Sequence, residues 1–220
     1  MNLRTLDYIR GIFKPYYENS GDAAHGISHA DQVHIACYTI INRLERRGII
    51  LEPEVVTPLN IALAAYGHDM FAGTSRVLHH ILANDWLRDN IVEKFGNLIP
   101  SGVDVNDVIE TVASAVVEHR ASYNGAYTTA LSELLSAADR GVPDITSVIK
   151  RSYAYSSSKY TDESTIINET IRHIKAKYGR KGYGRFNNMY IVAYGNELSA
   201  LRDSADKLTV KSVLNIIKGL

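Results

Sequence analysis

Residues 62–70 read Ala-Leu-Ala-Ala-Tyr-Gly-His-Asp-Met, an apolar run that ends in two side chains of metal-binding type, His68 and Asp69. A run of this kind is typical of a helix packed inside a core. A carboxylate buried against it costs free energy unless a cation or a hydrogen-bond donor pairs with it. Neighbours on a helix differ by about 100° in direction, so His68 and Asp69 can share one ion only near a helix end or the edge of a packed face.

Two more candidate ligands lie far away along the chain, each beside a predicted helix end. His29 stands at the head of an amphipathic segment, with Ser28 as its expected N-cap. Asp139 ends the apolar run that begins at Leu134, just before the break at Gly141. Four side chains near helix ends can assemble an open site, in which water and substrate still have room to bind.

Hydrophobic spacing predicts helices along the whole chain and no convincing strand, so we expect an all-α fold. Pro53 is expected to begin the third helix and Thr74 or Ser75 to cap the fourth. The β-branched residues after Val105 allow a strand, but their spacing follows a period of 3.6 better than 2. The predicted helices are Leu3–Tyr17, His29–Arg47, Pro53–Asp69, Ser75–Gly96, Val105–Arg120, Tyr127–Arg140, Ile145–Tyr155, Glu163–Tyr178, Met189–Leu201 and Ala205–Ile217.

Composition is ordinary for a globular protein and excludes several other classes. Apolar residues make up 45% and charged residues 22% of the 220 residues, which is enough for one substantial core. Lys+Arg and Asp+Glu balance at 24 each, so no global basic field exists and we expect no stable duplex nucleic-acid partner.

Cysteine content and hydropathy point to a location inside the cell. Cys37 is the only cysteine, which excludes an internal disulfide and a Cys-rich zinc site and fits a reducing compartment. The first residues lack the apolar core of a signal peptide, and no segment approaches the ~20 apolar residues of a membrane span. We therefore expect a cytoplasmic protein without a membrane partner; the sequence leaves a homo-oligomer open.

The order His29, His68-Asp69 and Asp139 resembles the HD-domain metal-dependent phosphohydrolases, an all-helical superfamily. The resemblance covers about residues 20–142. It implies an HD-type metal-binding helical core over residues 1–143, with residues 144–220 as a C-terminal helical extension that packs on that core. One position departs from the family, since many members have Arg where this chain has Gln32.

Carried over position by position, the resemblance makes His29, His68, Asp69 and Asp139 the metal ligands. Two imidazoles and two carboxylates suit Mn²⁺, Mg²⁺, Co²⁺, Ni²⁺ or Fe²⁺. Such an ion lowers the pKa of bound water and neutralises charge on phosphoryl oxygens, which removes two obstacles to phosphate-ester hydrolysis. The competing interpretation of the four residues is a set of unrelated buried polar side chains.

The resemblance also implies catalytic roles for Asp69, His79, His80 and His119. Asp69 would accept a hydrogen bond from the metal-activated water. The three histidines would contact the substrate phosphate, protonate the leaving group or bind a second metal ion. The alternative for each histidine is an ordinary ring that is either solvated or hydrogen-bonded within the core. The number of metal ions stays open.

Cationic residues supply the candidate substrate-binding set. Arg76, one turn before His80, is expected to direct a guanidinium at phosphate. The C-terminal part adds a loop with three cations among three glycines, which we expect to close as a lid over a nucleotide; a solvated linker is the alternative. The predicted set is Arg76, Lys159, Arg180, Lys181 and Arg185.

The predicted function is hydrolysis of a phosphate ester or anhydride, with a mononucleotide or nucleoside polyphosphate as the substrate. Its nucleotide part follows from the resemblance alone, because fold does not determine substrate. A cyclic-nucleotide phosphodiesterase is one alternative. The alternative from another class is a non-catalytic nucleotide-sensing or nucleic-acid-binding helical module with a vestigial metal site.

Overall fold

The structure is a computed structural model, and it describes residues 1–18 and 26–219. Within those ranges the chain forms helices and no strand, so the predicted all-α class is confirmed. The helices are α1 (Leu3–Glu18), α2 (Ile27–Glu45), α3 (Pro58–Gly67), α4 (His79–Phe95), α5 (Val105–Glu118), α6 (Ala130–Asp139), α7 (Ile145–Ser157), α8 (Glu163–Tyr178), α9 (Asn188–Asp206) and α10 (Val210–Lys218), with a 3-10 turn at Gly96–Leu98.

The chain divides into two compact units, Met1–Gly141 and Val142–Leu220. The first unit holds α1–α6 and the second α7–α10. The sequence places the boundary between residues 143 and 144, two residues away from this division. Gly141 stands at the break with φ +67, a left-handed conformation that suits glycine.

Helix α3 lies at the centre of the first unit, where it packs against α1, α2, α5 and α6. Every one of its residues from Asn60 to Gly67 is buried, as expected for a helix that is apolar on all sides. Gly67 allows α4 to come close, because a Cβ there would lie 3.2 Å from Leu87 Cδ1. The core therefore surrounds the helix that carries His68 and Asp69 at its end.

Aromatic rings join the first helix to the fourth. Phe13 stacks on Phe95 with ring centroids 5.6 Å apart, and Trp86 lies 5.5 Å from the Phe13 ring. Phe13 and Phe95 are fully buried. Helix α1 continues through Pro15 to Glu18, one residue beyond the predicted end.

Several helix starts differ from their predictions; α6, for example, begins at Ala130, three residues after the predicted Tyr127. Helix α3 begins at Pro58, because Thr57 caps it by accepting a hydrogen bond from Asn60 N at 3.1 Å; Pro53 lies in the turn before it. Helix α2 begins at Ile27 with Gly26 as N-cap, so Ser28 is not the cap. Its predicted stop is confirmed, since Gly48 follows with φ +76.

Helix α4 begins at His79, after Thr74 and Ser75. Short turns occupy residues 69–78 instead: the Ala72 amide donates to the Asp69 carbonyl at 2.8 Å. Ser75 Oγ accepts from the Leu78 amide at 3.2 Å and stabilises the last of these turns. His79 and His80 therefore open α4 rather than lying in its second turn.

In the second unit, α8 packs against α7, α9 and α10. Four aromatic rings follow each other along one side, with centroids 5.1–6.5 Å apart: Tyr178, Phe186, Tyr190 and Tyr194. Helix α9 is kinked at Tyr194, where φ and ψ are −126° and 21°. The break between α9 and α10 lies at residues 207–209, five residues later than residues 202–204, where the sequence predicts it.

The glycine-rich loop after α8 is hydrogen-bonded to the end of that helix. The amides of Tyr183 and Gly184 donate to the carbonyls of Ala176 and Lys177, both at 2.9 Å. Cβ atoms at Gly182 and Gly184 would lie 2.6 and 2.5 Å from the Lys177 oxygen. Only glycine fits where this loop meets the carboxyl end of α8.

Among the described residues, 1–18 and 26–219, no helix has both the length and the apolar character that crossing a membrane requires.

Gly184→Ala should lower the free energy of unfolding by about 1–3 kcal/mol, because the new methyl group collides with a backbone carbonyl. Gly195→Ala is the matched control: it lies within α9 with open space at its Cβ, and it should raise the free energy of unfolding by about 0.5–1 kcal/mol. Urea unfolding followed by circular dichroism measures both. Equal stability of the two variants would contradict the close approach.

Candidate metal centre

Six histidine and aspartate side chains meet in the first unit, each at the end of a helix. Three of them lie at the C-terminal end of a helix, and the other three begin a helix or directly follow one. They are His29 in the first turn of α2, His68 at the C-cap of α3, Asp69 next to it, His79 at the start of α4, His119 at the C-cap of α5 and Asp139 as the last residue of α6. The structure thus brings all four predicted metal ligands together.

We call the predicted set group 1: His29, His68, Asp69 and Asp139. Its ligand atoms all lie within 4.8 Å of one another. Asp139 Oδ1 lies 3.0 Å from His29 Nε2 and 3.7 Å from His68 Nε2, while Asp69 Oδ2 lies 3.9 and 3.6 Å from the same two nitrogens. Ligands that bind one ion at about 2.1 Å lie about 3–4 Å apart, so group 1 has the spacing of a metal site.

A second set, group 2, consists of Asp69, His79 and His119. Asp69 Oδ1 lies 3.1 Å from His79 Nε2 and 3.6 Å from His119 Nε2. Asp69 therefore directs one oxygen at each group, as a carboxylate that bridges two metal ions would. Group 2 could hold a metal ion, which is one of the three roles that the sequence leaves open for His79 and His119.

The three buried histidines of this cluster share one orientation. Each ring places Nδ1 against the carbonyl oxygen of the residue three positions earlier, at 2.8 Å for His68 and Ala65, 3.1 Å for His79 and Arg76, and 2.6 Å for His119 and Val116. A carbonyl oxygen only accepts, so Nδ1 carries the proton and donates. The Nε2 lone pair is then free to bind a metal, the arrangement usual for histidine ligands.

Burial makes a cation necessary in this cluster. His68, Asp69, His79 and His119 are between 0% and 5% exposed. Among the described atoms, His68 Nε2 has no hydrogen-bond partner although it is fully buried. A buried lone pair that faces carboxylate oxygens is unfavourable unless a proton or a metal ion lies between them. The donor set of imidazole nitrogens and carboxylate oxygens therefore fits a divalent transition ion.

Protons compete with metal ions for the imidazole nitrogens and carboxylate oxygens of this cluster. Burial by itself lowers the pKa of His68, but the charges of Asp69 and Asp139 outweigh it and raise this pKa to about 9. Burial raises the pKa of Asp139, yet the neighbouring His29 and His68 hold it well below its usual range. At neutral pH without metal, His68 is a cation between two anions.

A further layer of hydrogen bonds holds the cluster in place. The buried Glu118 accepts from the Thr128 amide at 2.9 Å and so fixes the chain after His119. The Tyr17 hydroxyl donates to the Tyr66 carbonyl at 2.9 Å, two residues before His68. Tyr66 in turn donates to Asp31 at 2.9 Å.

Two predicted residues of the first unit lie beside the cluster but outside both groups. His80 follows His79, with ring centroids 5.4 Å apart, and burial together with Arg120 and the other histidines lowers its pKa to about 4. It is neutral at physiological pH. The backbone carbonyl of Arg76 accepts a hydrogen bond from His79 Nδ1, while the Arg76 side chain is exposed.

The other predicted substrate-binding residues belong to the second unit. Lys159 contacts the Tyr155 hydroxyl, with its ammonium 4.3 Å from the ring centre. Arg180 pairs with Asp203, and its amide donates to Asp206 at 3.2 Å. Lys181 and Arg185 are exposed. Their role as a lid stays a prediction.

Sequence reasoning missed Arg120. It follows His119 directly, is half-buried, and donates from Nη1 to the Val77 carbonyl at 3.0 Å. The sequence signal for it is slight: a cation directly after a candidate ligand, in Glu118-His119-Arg120.

In comparisons with family models, curated proteins and solved structures, nothing matches this chain. The resemblance to HD-domain phosphohydrolases therefore stays a prediction from the residues themselves. A function has to be inferred from the geometry and charge of the two groups.

Binding of Mn²⁺ should release protons and strengthen with pH. Because the pKa of His68 lies near 9 without metal, its Nε2 proton is bound at neutral pH and must leave when a metal ion binds. The dissociation constant should fall by about tenfold per pH unit for each displaced proton between about pH 6 and 8. Calorimetry in buffers of different ionisation enthalpy measures the release; pH-independent affinity would contradict a protonated His68.

Asp69→Asn should abolish metal binding at both groups, because both depend on this one carboxylate. The wild type should hold up to two equivalents of Mn²⁺, one for each group. Asp89→Asn, an exposed change on α4, serves as the control and should bind as the wild type does. Elemental analysis after dialysis measures the content. Retention of a full equivalent by Asp69→Asn would rule out its central position.

Proposed function

We propose that this protein is a metal-dependent phosphohydrolase that cleaves a phosphate ester or anhydride of a nucleotide. The observation that carries the proposal is the division of the two Asp69 oxygens between group 1 and group 2. Two ions bridged by one carboxylate are an arrangement suited to displacement at phosphorus. The resemblance of His29, His68-Asp69 and Asp139 to the HD-domain pattern supports the same reaction class.

The charge of the cluster favours an anionic substrate. Four neutral imidazoles and two carboxylates contribute 0 and −2, so two divalent ions of total charge +4 leave +2. That excess complements a phosphate dianion. A divalent ion bound here would lower the pKa of its bound water and neutralise charge on phosphoryl oxygens.

The protein's own residues orient the reacting groups. His29 and Asp139 are 19% and 26% exposed, against 0% for His68, so the cluster opens to solvent on their side. Water can reach group 1 from there. Asp69 accepts a hydrogen bond from the attacking water, and the backbone carbonyls that hold Nδ1 of three histidines keep each Nε2 directed inward.

Neutral His80 lies close to the cluster and has an Nδ1 atom that makes no hydrogen bond to the described part of the chain. We assign it a hydrogen bond to the substrate or leaving group rather than metal binding. The reducing environment that fits the single buried Cys37 supports a cytoplasmic site of action.

A phosphate-release screen tests the proposal. The panel contains nucleoside mono-, di- and triphosphates and cyclic nucleotides, each with Mn²⁺, Mg²⁺, Co²⁺, Ni²⁺ or Fe²⁺. We expect turnover that Asp139→Asn reduces by more than about 100-fold, since loss of even an outer partner of a metal ligand costs about 10- to 100-fold. Asp89→Asn should retain full activity.

The outcome also separates the alternatives. Hydrolysis confined to cyclic nucleotides would favour a phosphodiesterase. Binding of nucleotides without phosphate release by the metal-loaded wild type would contradict the hydrolase and favour a sensor.

A further inference from the structure

Arg120 is joined to both chain segments that supply group 2. Along the chain it follows the group 2 ligand His119, and through space its Nη1 donates to the carbonyl of Val77 at 3.0 Å. Val77 lies two residues before His79, the other histidine of group 2. The guanidinium is thus placed between the two chain segments that supply group 2.

Unlike the arginines in the ion pairs of this structure, Arg120 is held by a backbone carbonyl. Within the described ranges it forms no ion pair with a carboxylate, whereas Arg10, Arg88, Arg172 and Arg180 each pair with one. A guanidinium has five N–H donors in a planar fork, and one of them is used by the Val77 oxygen. The remaining donors form a group that an external anion can bind in a bidentate manner.

Three apolar residues that neighbour His79 and His80 in the sequence have exposed side chains. Val77, Leu78 and Ile81 are 69%, 52% and 41% exposed, and we call these three residues the apolar shoulder. They occupy positions 77, 78 and 81, directly around the two histidines. Exposed apolar residues that adjoin convergent polar groups are typical of a ligand site.

We propose that Arg120 and the apolar shoulder form the substrate-recognition surface of this metal centre. Arg120 binds anionic oxygens of the phosphate, and the shoulder contacts the part of the substrate attached to it. The substrate class is then a phosphoester whose non-phosphate part presents an aromatic or apolar face, such as a nucleobase. This inference rests on the proposed hydrolase function and adds its specificity.

A purely structural role for Arg120 makes a different prediction. If the bond to Val77 serves only to hold the chain before α4, loss of Arg120 lowers stability without a selective effect on anion binding. The test therefore needs binding measurements alongside metal content and thermal midpoint. Substrate analogues that resist hydrolysis separate binding from turnover.

Three probes are titrated into the Mn²⁺-loaded protein by calorimetry: orthophosphate, methylphosphonate and phenylphosphonate. Arg120→Gln should weaken all three by on the order of 10- to 100-fold, as expected for a lost charge-assisted hydrogen bond. Arg120→Lys should recover only part of this, because an ammonium group lacks the planar fork. Arg47→Gln, an exposed change past the end of α2, is the control and should bind as the wild type does.

The shoulder is tested by the difference between the two phosphonates. The wild type should bind phenylphosphonate about five- to tenfold more tightly than methylphosphonate, because the ring covers apolar surface. Leu78→Asn, which changes an exposed side chain, should remove this difference and leave orthophosphate binding unchanged. Metal content should stay at the wild-type level in every variant.

The failures of the two proposals can be told apart. A wild type that binds no metal ion, or that binds metal and hydrolyses nothing, contradicts the hydrolase. Turnover by the wild type together with unchanged anion affinity in Arg120→Gln overturns the recognition role alone. Equal affinity of the wild type for both phosphonates overturns the part assigned to the shoulder.

Discussion

A carboxylate buried among imidazole nitrogens is the interaction on which the first unit depends. Asp69 is 4% exposed, and four Nε2 atoms lie within 3.9 Å of its two oxygens. A buried charge is costly unless a counter-charge neutralises it. The stability of this unit therefore has one requirement: protons or metal ions must bind between Asp69 and the histidines, and the fold is most stable when they do.

Helix ends create this environment. Helices α3, α5 and α6 all terminate at the cluster, with His68, His119 and Asp139 at or next to their last residues. Carbonyl groups at a helix C-terminus carry partial negative charge and attract cations. Two of these last-turn carbonyls also bind Nδ1 of His68 and His119. The same backbone groups that no longer have a helical partner thus direct the ligands and increase the attraction for a cation.

Local sequence predicts much of this centre, and two helix starts that it predicts wrongly, those of α3 and α4, have local causes. His68 and Asp69 stand out because an apolar helix that ends in two polar residues needs a partner for them. The start predicted at Pro53 is wrong because the Thr57 side chain caps the helix at Pro58. Helix α4 begins later than predicted because hydrogen-bonded turns after Asp69 use the residues that would otherwise have formed its first turn.

By itself the sequence determined the all-α class and the donor chemistry of the cluster, because helical periodicity and residue type are local properties. Tertiary structure alone decided how the two oxygens of Asp69 are shared, which ring nitrogens face them, and that Arg120 lies against Val77. These outcomes depend on distances between helices that are separated by tens of residues along the chain. No local pattern specifies such distances; the packing of α4, α5 and α6 around the buried α3 does.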